Sequence, residues 1–419
     1  MIQREPSRRA VITGMGVKTP AGCDIETFWE RINSGISCAK EIEHFDASSL
    51  SVNFACEVDD EELNLEKYVN SKDARRLDRF THLGIAAALD ALEDSGITNS
   101  PYDTFRAGVV TGTGVGGIST LEEQWTVFQE KGPNRVSPFF VPSMMANAIA
   151  GHTSILAKFA GVNINITTAC AAGSHAIGEA ARLIWDGSCD VVLAGSAEAG
   201  VTPLVVAAFA RMGALSSRVD DPKAASRPFD KDRDGFVIGE GAGFMVIESL
   251  ESALNRGANI LGEIVGYGRS GDAHHITAPH PEGDGAARAM KMALATADVE
   301  PSYVKHINVH GTSTPLGDIG EAKAIRTVFG EENPPIITST KGVTGHLVAG
   351  AGSVEAIVAT LTIRDKAVPP TANLDNLDPE VKLDVVAGEP RKYDGGPVMS
   401  NSFGFGGHNA AVLIAPYES

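Results

Sequence analysis

The chain has 419 residues, of which 43% are hydrophobic and 21% charged, and this apolar content excludes a disordered protein. A formal net charge of −18 argues against a general affinity for nucleic acid or an anionic membrane, because both require clustered Lys and Arg. The sequence has no apolar run of the ~20 residues that span a bilayer, and its first residues lack the apolar core of a secretory signal. We therefore expect a soluble, cytoplasmic protein with two or three domains.

Short β-type runs alternate with helical segments along the chain. The runs include "RAVITGMG" (9–16), "AGVVTGTG" (107–114), "DVVLAGS" (190–196) and "HINVHG" (306–311), and helical periodicity marks "FTHLGIAAALDALEDSG" (80–96). This alternation predicts an α/β fold with a largely parallel, buried sheet.

A basic run, "SKDARRLDRF", carries Lys72, Arg75 and Arg76 on a predicted helix. Such a run is usually a solvated surface. On a chain with this acidic balance it is also a candidate dock for an acidic partner.

The segment "TGTGVGGIST" contains Gly112, Gly114 and Gly117 in a GxGxxG pattern. No strand ending in an acidic residue follows about 20 residues later, as a dinucleotide site would require. We interpret the segment as a tight turn whose small residues line a pocket.

Cys170 follows a β-type run and precedes an alanine-rich helix in "NINITTACAAGSHAIGEAARLI". Unpaired backbone N–H groups and the helix dipole at that position favour a thiolate, so we expect a lowered pKa and a nucleophile. A buried structural cysteine is the alternative. The other cysteines, at positions 23, 38, 56 and 189, show no spacing typical of a disulfide framework or zinc site.

His310 in "NVHGTSTPLGD" and His346 in "STKGVTGHLVAGAG" both lie in glycine-rich turns after β-type runs, where side chains of different segments can meet Cys170 in one crevice. Lys341 precedes His346 by five residues and could pair with Glu321 or Asp318. The adjacent His274 and His275 lack further ligands at metal spacing, which favours a polar loop.

An internal echo suggests two similar halves: "AGSHAI" begins at Ala172 and "AGSVEAI" at Ala351, each opening a small-residue helix. We place the division between residues 1–258 and 259–419.

Together these motifs resemble those of the β-ketoacyl-acyl carrier protein synthases, type II condensing enzymes of the thiolase superfamily. The resemblance rests on "TTACAAGSHAIGEA", "RPFDKDRDGFVIGEGAG", "HGTSTPLGD", "STKGVTGHLVAGAG" and "NSFGFGGHN", in the family's order. It implies a thiolase-like, five-layered αβαβα fold of two pseudo-duplicated halves, working as a dimer.

The resemblance also implies roles for the candidate residues. Cys170 would hold the acyl chain as a thioester, and His310 and His346 would assist malonyl decarboxylation and stabilise the enolate.

The backbone N–H groups of Cys170 and Phe403 would form an oxyanion hole, with Phe403 as a gate. Lys341 would pair with Glu321, and the remaining roles would be loop support by Asp318, the acyl pocket floor at Val115 and a pantetheine contact at Thr277.

The implied partner is an acyl carrier protein that docks on Lys72, Arg75, Arg76 and Arg135. No metal or redox cofactor is expected, because acyl and malonyl groups arrive on the carrier's phosphopantetheine.

His408 stands where many relatives have threonine, and Asn134 and Gly213 stand where fatty-acid enzymes often have arginine. These departures keep a second assignment open: the ketosynthase subunit of a type II polyketide or polyene synthase, paired with a chain-length factor.

Two other functions are disfavoured. A degradative thiolase normally has a second catalytic cysteine near the C-terminus, but no cysteine follows Cys189. A chain-length factor lacks the nucleophile that Cys170 supplies here.

Overall fold

A computed structural model describes residues 5–332 and 334–418. Within these ranges strands and helices alternate as the sequence predicts. The strands are β1 (Ala10–Lys18), β2 (Lys40–Glu41), β3 (Phe54–Ala55), β4 (Ala107–Gly112), β5 (Asn163–Ile166), β6 (Val191–Glu198), β7 (Gly241–Ser249), β8 (Gly262–Gly271), β9 (His306–Asn308), β10 (Ile336–Thr338), β11 (Ala367–Val368), β12 (Arg391–Lys392), β13 (Val398–Gly404) and β14 (His408–Ala415). The helices are α1 (Ile25–Ser34), α2 (Asp60–Leu63), α3 (Ser71–Ala74), α4 (Arg79–Ser95), α5 (Ile118–Lys131), α6 (Phe140–Met144), α7 (Ala148–Ala157), α8 (Ala172–Trp185), α9 (Pro203–Arg211), α10 (Leu250–Asn255), α11 (Asp284–Ala297), α12 (Pro315–Phe329), α13 (Lys341–Thr344) and α14 (Ala351–Asp365).

Ten strands form a continuous sheet in the order β10-β9-β13-β14-β8-β1-β7-β6-β4-β5. Its middle is the antiparallel pair β1–β8, which is short because only Ala10–Ile12 of β1 are paired with β8. On each side of this junction lie five strands. The strands β2 and β3, and likewise β11 and β12, form two small separate sheets.

The two sets of five strands have the same topology. In the first set β5, β4 and β6 are parallel, while β7 and β1 follow antiparallel. In the second set β10, β9 and β13 are parallel, while β14 and β8 follow antiparallel. This correspondence supports two duplicated halves, and the division after residue 258 stays a prediction. The prediction of a largely parallel sheet is wrong: the sheet is mixed, because β7, β1, β8 and β14 all pair antiparallel with their neighbours.

Helices α8 and α14 pack against each other between the two sets of strands, while α4 and α11 cover the outer faces. The resulting layers are those of the thiolase-like αβαβα fold. The two central helices begin at Ala172 and Ala351, the residues at which the sequence echo begins.

A pair of glycines permits this close central contact. A Cβ on Gly173 would lie 2.5 Å from the backbone nitrogen of Ser353, and a Cβ on Gly352 would lie 2.5 Å from that of Ser174. Side chains at either position would force the helices apart.

No helix among the described residues is long and apolar enough to cross a membrane.

Candidate active site

Cys170 lies at a sharp corner between β5 and α8, in a 3-10 turn formed by Ala169–Ala171. Ala169 has a φ of +49°, an uncommon backbone conformation for a residue with a side chain. The end of β13 packs directly on this corner, since a Cβ on Gly404 would lie 3.1 Å from the backbone nitrogen of Cys170. Two segments distant in sequence therefore fix the position of the half-buried thiol.

The electrostatic prediction for Cys170 is wrong in direction. Burial raises the pKa of the Cys170 thiol to about 11, although the Lys341 charge and the backbone N–H of Phe405 oppose this effect. The loss of solvation thus outweighs the stabilisation of the thiolate by the Lys341 charge and the backbone N–H groups of Phe405 and Cys170. At neutral pH the resting side chain is a thiol and needs a base when it reacts.

His346 is the nearest candidate for that base, because its Nε2 lies 3.1 Å from the Cys170 Sγ. Its backbone N–H donates to the carbonyl of Val237 at 2.7 Å, which anchors the residue. The ring of His310 lies beside it, with centroids 5.4 Å apart at an angle of 85°. The structure therefore brings the three predicted residues together.

Both imidazoles are neutral. Burial and then the Lys341 charge hold the pKa values of His310 and His346 well below the usual range. The Nδ1 atom of each ring has no hydrogen-bond partner among the described residues. Neither tautomer is therefore fixed, and each Nε2 can accept or donate a proton.

Lys341 has a different partner from the predicted one. Its Nζ forms a buried ion pair with Glu355 on α14 and donates a hydrogen bond to the carbonyl of His310 at 2.5 Å. The predicted pair of Lys341 with Glu321 does not form. The two carboxyl oxygens of Glu321 instead accept hydrogen bonds from the backbone N–H groups of His310 at 2.9 Å and Gly311 at 2.7 Å.

Asp318 supports the neighbouring loop, as predicted. It accepts hydrogen bonds from the backbone N–H groups of Phe229 and Ser313 at 2.9 and 3.2 Å, and it contacts the Arg233 guanidinium at 3.3 Å. Burial raises the pKa of Asp318 to about 6 and that of Glu321 to about 7, against these favourable contacts.

The structure places the backbone N–H of Phe405, and not that of Phe403 as predicted for an oxyanion hole, next to the Cys170 sulfur. The backbone N–H that faces Cys170 Sγ belongs to Phe405, which follows the end of β13. Phe403 lies within β13, paired with Asn409 of β14, and its ring packs 5.9 Å from that of His310. The repeated pattern Phe-Gly-Phe does not reveal which amide turns toward the thiol.

A cavity of about 580 Å³ is lined by Cys170, His310, His346, Glu321, Phe403 and Phe405. Val115 and Thr277 belong to its wall, as predicted, together with Phe209 and Phe236. This volume lies within the range of about 300–1,000 Å³ that is usual for small-molecule binding pockets.

The backbone N–H groups of the glycine-rich turn bind a side-chain carboxyl group of the protein itself. Glu198 at the end of β6 accepts from the backbone N–H of Gly114 at 2.6 Å and from the Thr113 hydroxyl at 3.0 Å. This confirms a pocket-lining turn rather than a dinucleotide site. Sequence reasoning missed Glu198, as it missed Glu355, although a lone acid in an apolar segment is a signal that a buried partner exists.

His275 caps a turn, since its Nδ1 accepts from the backbone N–H groups of Thr277 and Ala278, each at 3.1 Å. This arrangement agrees with the predicted polar loop at His274 and His275. His408 is exposed at the start of β14, opposite Gly271, and nothing in the structure explains why it replaces threonine.

The predicted basic dock is on the surface. Lys72, Arg75 and Arg135 are exposed, and Arg76 lies over the ring of Phe139 at 4.5 Å. Asn134 and Gly213 are also exposed. Sequence reasoning missed Arg211, an exposed cation at the end of α9 beside the cavity-lining Met212 and Gly213.

Comparisons with known proteins agree with this geometry. Residues 7–253 match the "Beta-ketoacyl synthase, N-terminal domain" and residues 261–375 the "Beta-ketoacyl synthase, C-terminal domain". The chain is 47% identical over 410 residues to "3-oxoacyl-[acyl-carrier-protein] synthase 2" of Vibrio cholerae, covering 97% of this chain and 99% of the relative.

Solved structures are also similar. "The ishigamide ketosynthase/chain length factor" has a TM-score of 0.91 and 35% identity, covering 98% of this chain and 100% of that chain. The "type II PKS acyl-carrier protein in complex with its ketosynthase bound to the hexaketide" (AntDE:AntF) has a TM-score of 0.90 and 32% identity with the same coverage. With family matches to both parts of the sequence and a relative that aligns over nearly its whole length, the chain belongs to the β-ketoacyl synthase family.

Proposed function

We propose that the chain is the acyltransferase that condenses an acyl group on Cys170 with malonyl-acyl carrier protein, releasing carbon dioxide and elongating a fatty acid. The observation that carries this proposal is the 3.1 Å approach of Cys170 Sγ and His346 Nε2 in a cavity that His310 also lines. The name of the Vibrio cholerae relative, at 47% identity, supports the fatty-acid assignment.

The first step is acyl transfer to Cys170. Its Sγ attacks the thioester carbonyl of the acyl carrier, and the thiol proton passes to His346 Nε2 and then to the leaving pantetheine thiol. The oxyanion forms beside the backbone N–H groups of Cys170 and Phe405, which are aimed at this position by the turn and by the end of β13.

The second step is condensation. Malonyl-acyl carrier protein loses carbon dioxide, and the resulting enolate is stabilised by N–H groups of His310 and His346 before it attacks the carbonyl carbon of the Cys170 thioester. The C–S bond to Cys170 then breaks, and the departing thiolate takes up a proton from solvent to restore the thiol. Neutral imidazoles suit this role because they donate a hydrogen bond without protonating the carbanion. A thiolate is a good leaving group in both steps, so the proposed chemistry needs no resident metal or redox cofactor.

Val115 limits the length of the acyl chain in this proposal, and Thr277 contacts the pantetheine arm. Support comes from their places in the cavity wall. The amides beside Val115 are held by Glu198, so the carboxylate also sets the position of the pocket floor.

An acyl carrier protein docks on exposed cations of the surface, of which Arg211 lies next to the cavity-lining Met212 and Gly213. We assign Lys72, Arg75, Arg76 and Arg135 to this surface and add Arg211. No ion pair involves Lys72, Arg75, Arg135 or Arg211 within residues 5–332 and 334–418, so these four remain available to an acidic partner.

The proposed oligomer is a dimer formed through β5. This strand lies at the end of the ten-stranded sheet, with Ile164 41% exposed. Exposed Ile155 and Leu156 of α7 extend its apolar surface. An apolar edge strand is completed most simply by a second copy or a homologous subunit.

The alternative is a polyketide ketosynthase that acts with a chain-length-factor subunit. Its support is the likeness to the ishigamide and AntDE proteins, at 35% and 32% identity. The higher identity to the fatty-acid relative favours a self-sufficient elongation enzyme.

The test is incubation of the purified chain with malonyl-acyl carrier protein and acyl carriers of graded length, followed by intact-protein and product mass spectrometry. We expect acylation of one thiol per chain and a β-ketoacyl product without any second protein. Products that appear only with a co-encoded homologue would select the polyketide alternative. Fractionation of cells would test the expected cytoplasmic location.

Variants assign the roles. Cys170→Ala should lose the acyl-enzyme while remaining folded. His310→Ala should form the acyl-enzyme but no condensation product, because the His346–Cys170 contact is intact. Undiminished acylation of Cys170→Ala would refute the proposed nucleophile.

A further inference from the structure

The reactive cluster contains a set of metal-ligand atoms. One sulfur from Cys170 and one ring nitrogen from each of His310 and His346 lie within 4.8 Å of one another. One thiolate with two imidazoles is a donor set that zinc and other thiophilic divalent cations prefer.

The distances need little adjustment to receive such an ion. With metal–sulfur bonds near 2.3 Å and metal–nitrogen bonds of about 2.0–2.1 Å, tetrahedral ligand atoms stand roughly 3.3–3.6 Å apart. Cys170 Sγ and His346 Nε2 are already 3.1 Å apart. The widest separation, at most 4.8 Å, exceeds this range by up to about 1.5 Å, so side-chain movement of that size would bring the third ligand into place.

The surroundings leave a fourth position free. The three residues line a cavity that reaches the surface at exposed Met212 and Gly213, so water can complete a tetrahedral site. Open sites with three protein ligands are typical of exchangeable or reactive metals.

Two features argue for reversible binding rather than a resident ion. The Lys341 ammonium lies 2.5 Å from the His310 carbonyl and repels a dication. Neither histidine Nδ1 has a hydrogen-bond partner among the described residues, so no carboxylate or carbonyl there orients the ring or increases the basicity of its ligand nitrogen.

We propose that Cys170, His310 and His346 form an inhibitory site for a thiophilic divalent cation such as Zn²⁺. Binding breaks the Sγ–H bond, releases the proton to solvent and forms a sulfur–metal bond, with no change in oxidation state. The inhibitory consequence rests on the proposed function, because the metal occupies the sulfur that would carry the acyl group.

The test uses Co²⁺ as a spectroscopic probe of the full chain in thiol-free buffer. We expect one equivalent to give tetrahedral d–d bands and a thiolate-to-cobalt charge-transfer band, and Zn²⁺ to bleach both. Cys170→Ala should lose the charge-transfer band, while His310→Ala and His346→Ala should weaken binding by about tenfold or more.

Matched controls are Cys38→Ala and His152→Ala, which remove a thiol and an imidazole outside the cluster and should leave the spectrum unchanged. Enzyme acylated on Cys170 should bind no Co²⁺. A charge-transfer band that survives Cys170→Ala, or affinity unaffected by both histidine variants, would overturn the inference. Failure of acylation with a normal cobalt spectrum would instead count against the proposed function alone.

Discussion

At the residue scale, burial is the main cause of the lowered pKa values of His310 and His346, and the Lys341 charge adds to it. Lys341 lowers the pKa values of His310 and His346 and partly offsets the effect of burial on Cys170. Its pairing with Glu355 ties this charge to the central helix α14. We therefore expect Lys341 to affect the reaction through its positive charge, which favours the neutral form of both imidazoles.

This role predicts a shift in the pH profile of Lys341→Met. Without the cation the imidazole pKa values rise, so the neutral rings needed for condensation are lost at a higher pH than in the parent enzyme. The acid limb of the condensation rate should therefore move upward in pH. An unshifted limb in a variant with a normal melting temperature would contradict the electrostatic role.

The site could be predicted from sequence only as far as its residue types. Cys170, His310 and His346 could be predicted because each lies in a turn after a β-type run of the sequence, and the family resemblance implied their roles. The partner of Lys341 depends on how α14 packs beside it. The amide that faces the thiol depends on how the end of β13 packs on the turn at Cys170. The raised pKa of Cys170 depends on burial, which local helix electrostatics does not report.

At the element scale, the contact between α8 and α14 fixes the relative positions of the turn at Cys170, which precedes α8, and the loop at His346, which precedes α14. Gly352→Ala should lower the free energy of unfolding by roughly 1–3 kcal/mol, because its Cβ would meet the Ser174 backbone. Gly151→Ala is the matched control within α7: its Cβ would meet nothing within 4 Å, so we expect a gain of about 0.5–1 kcal/mol. Urea unfolding measures both, and equal effects would refute the packing argument.

Another element-scale prediction concerns acid stability. Glu240, next to β7, binds Arg79 of α4 at 2.7 Å and contacts His44 at 3.2 Å. Burial alone would raise the pKa of Glu240, but these partners outweigh it and lower the pKa to about 2. A depressed carboxyl pKa stabilises the fold above the unfolded value near 4.5, and this contribution disappears as pH falls toward 2.

Glu240→Gln should therefore cost on the order of 3 kcal/mol at pH 7 and flatten the loss of stability between about pH 4.5 and 2. Denaturant unfolding at a series of pH values provides the measurement. A variant that keeps the parent's acid transition would show that other carboxyls control it.

At the scale of the whole molecule, the alternation of strands and helices predicted the α/β class, and a six-residue echo predicted duplication. The common strand order of the two halves could not be predicted this way, because β9, β10 and β5 have only three or four residues each. The short β1–β8 pairing that joins the halves carries no local signal, since strand partners are chosen by tertiary packing.

The net charge of −18 makes carrier docking a local electrostatic problem, because an acidic carrier is repelled by most of the surface and attracted only where exposed cations such as Arg75 and Arg211 lie. Arg75→Glu combined with Arg211→Glu should reduce kcat/KM for carrier-bound acyl groups by roughly tenfold and weaken its dependence on salt. Arg288→Glu with Lys291→Glu makes the same charge change on α11 and should leave the rate near that of the parent. Acyl pantetheine, which lacks the carrier protein, should react equally with all three enzymes. An equal loss with both pairs of substitutions would mean that overall charge, and not this surface, governs the encounter.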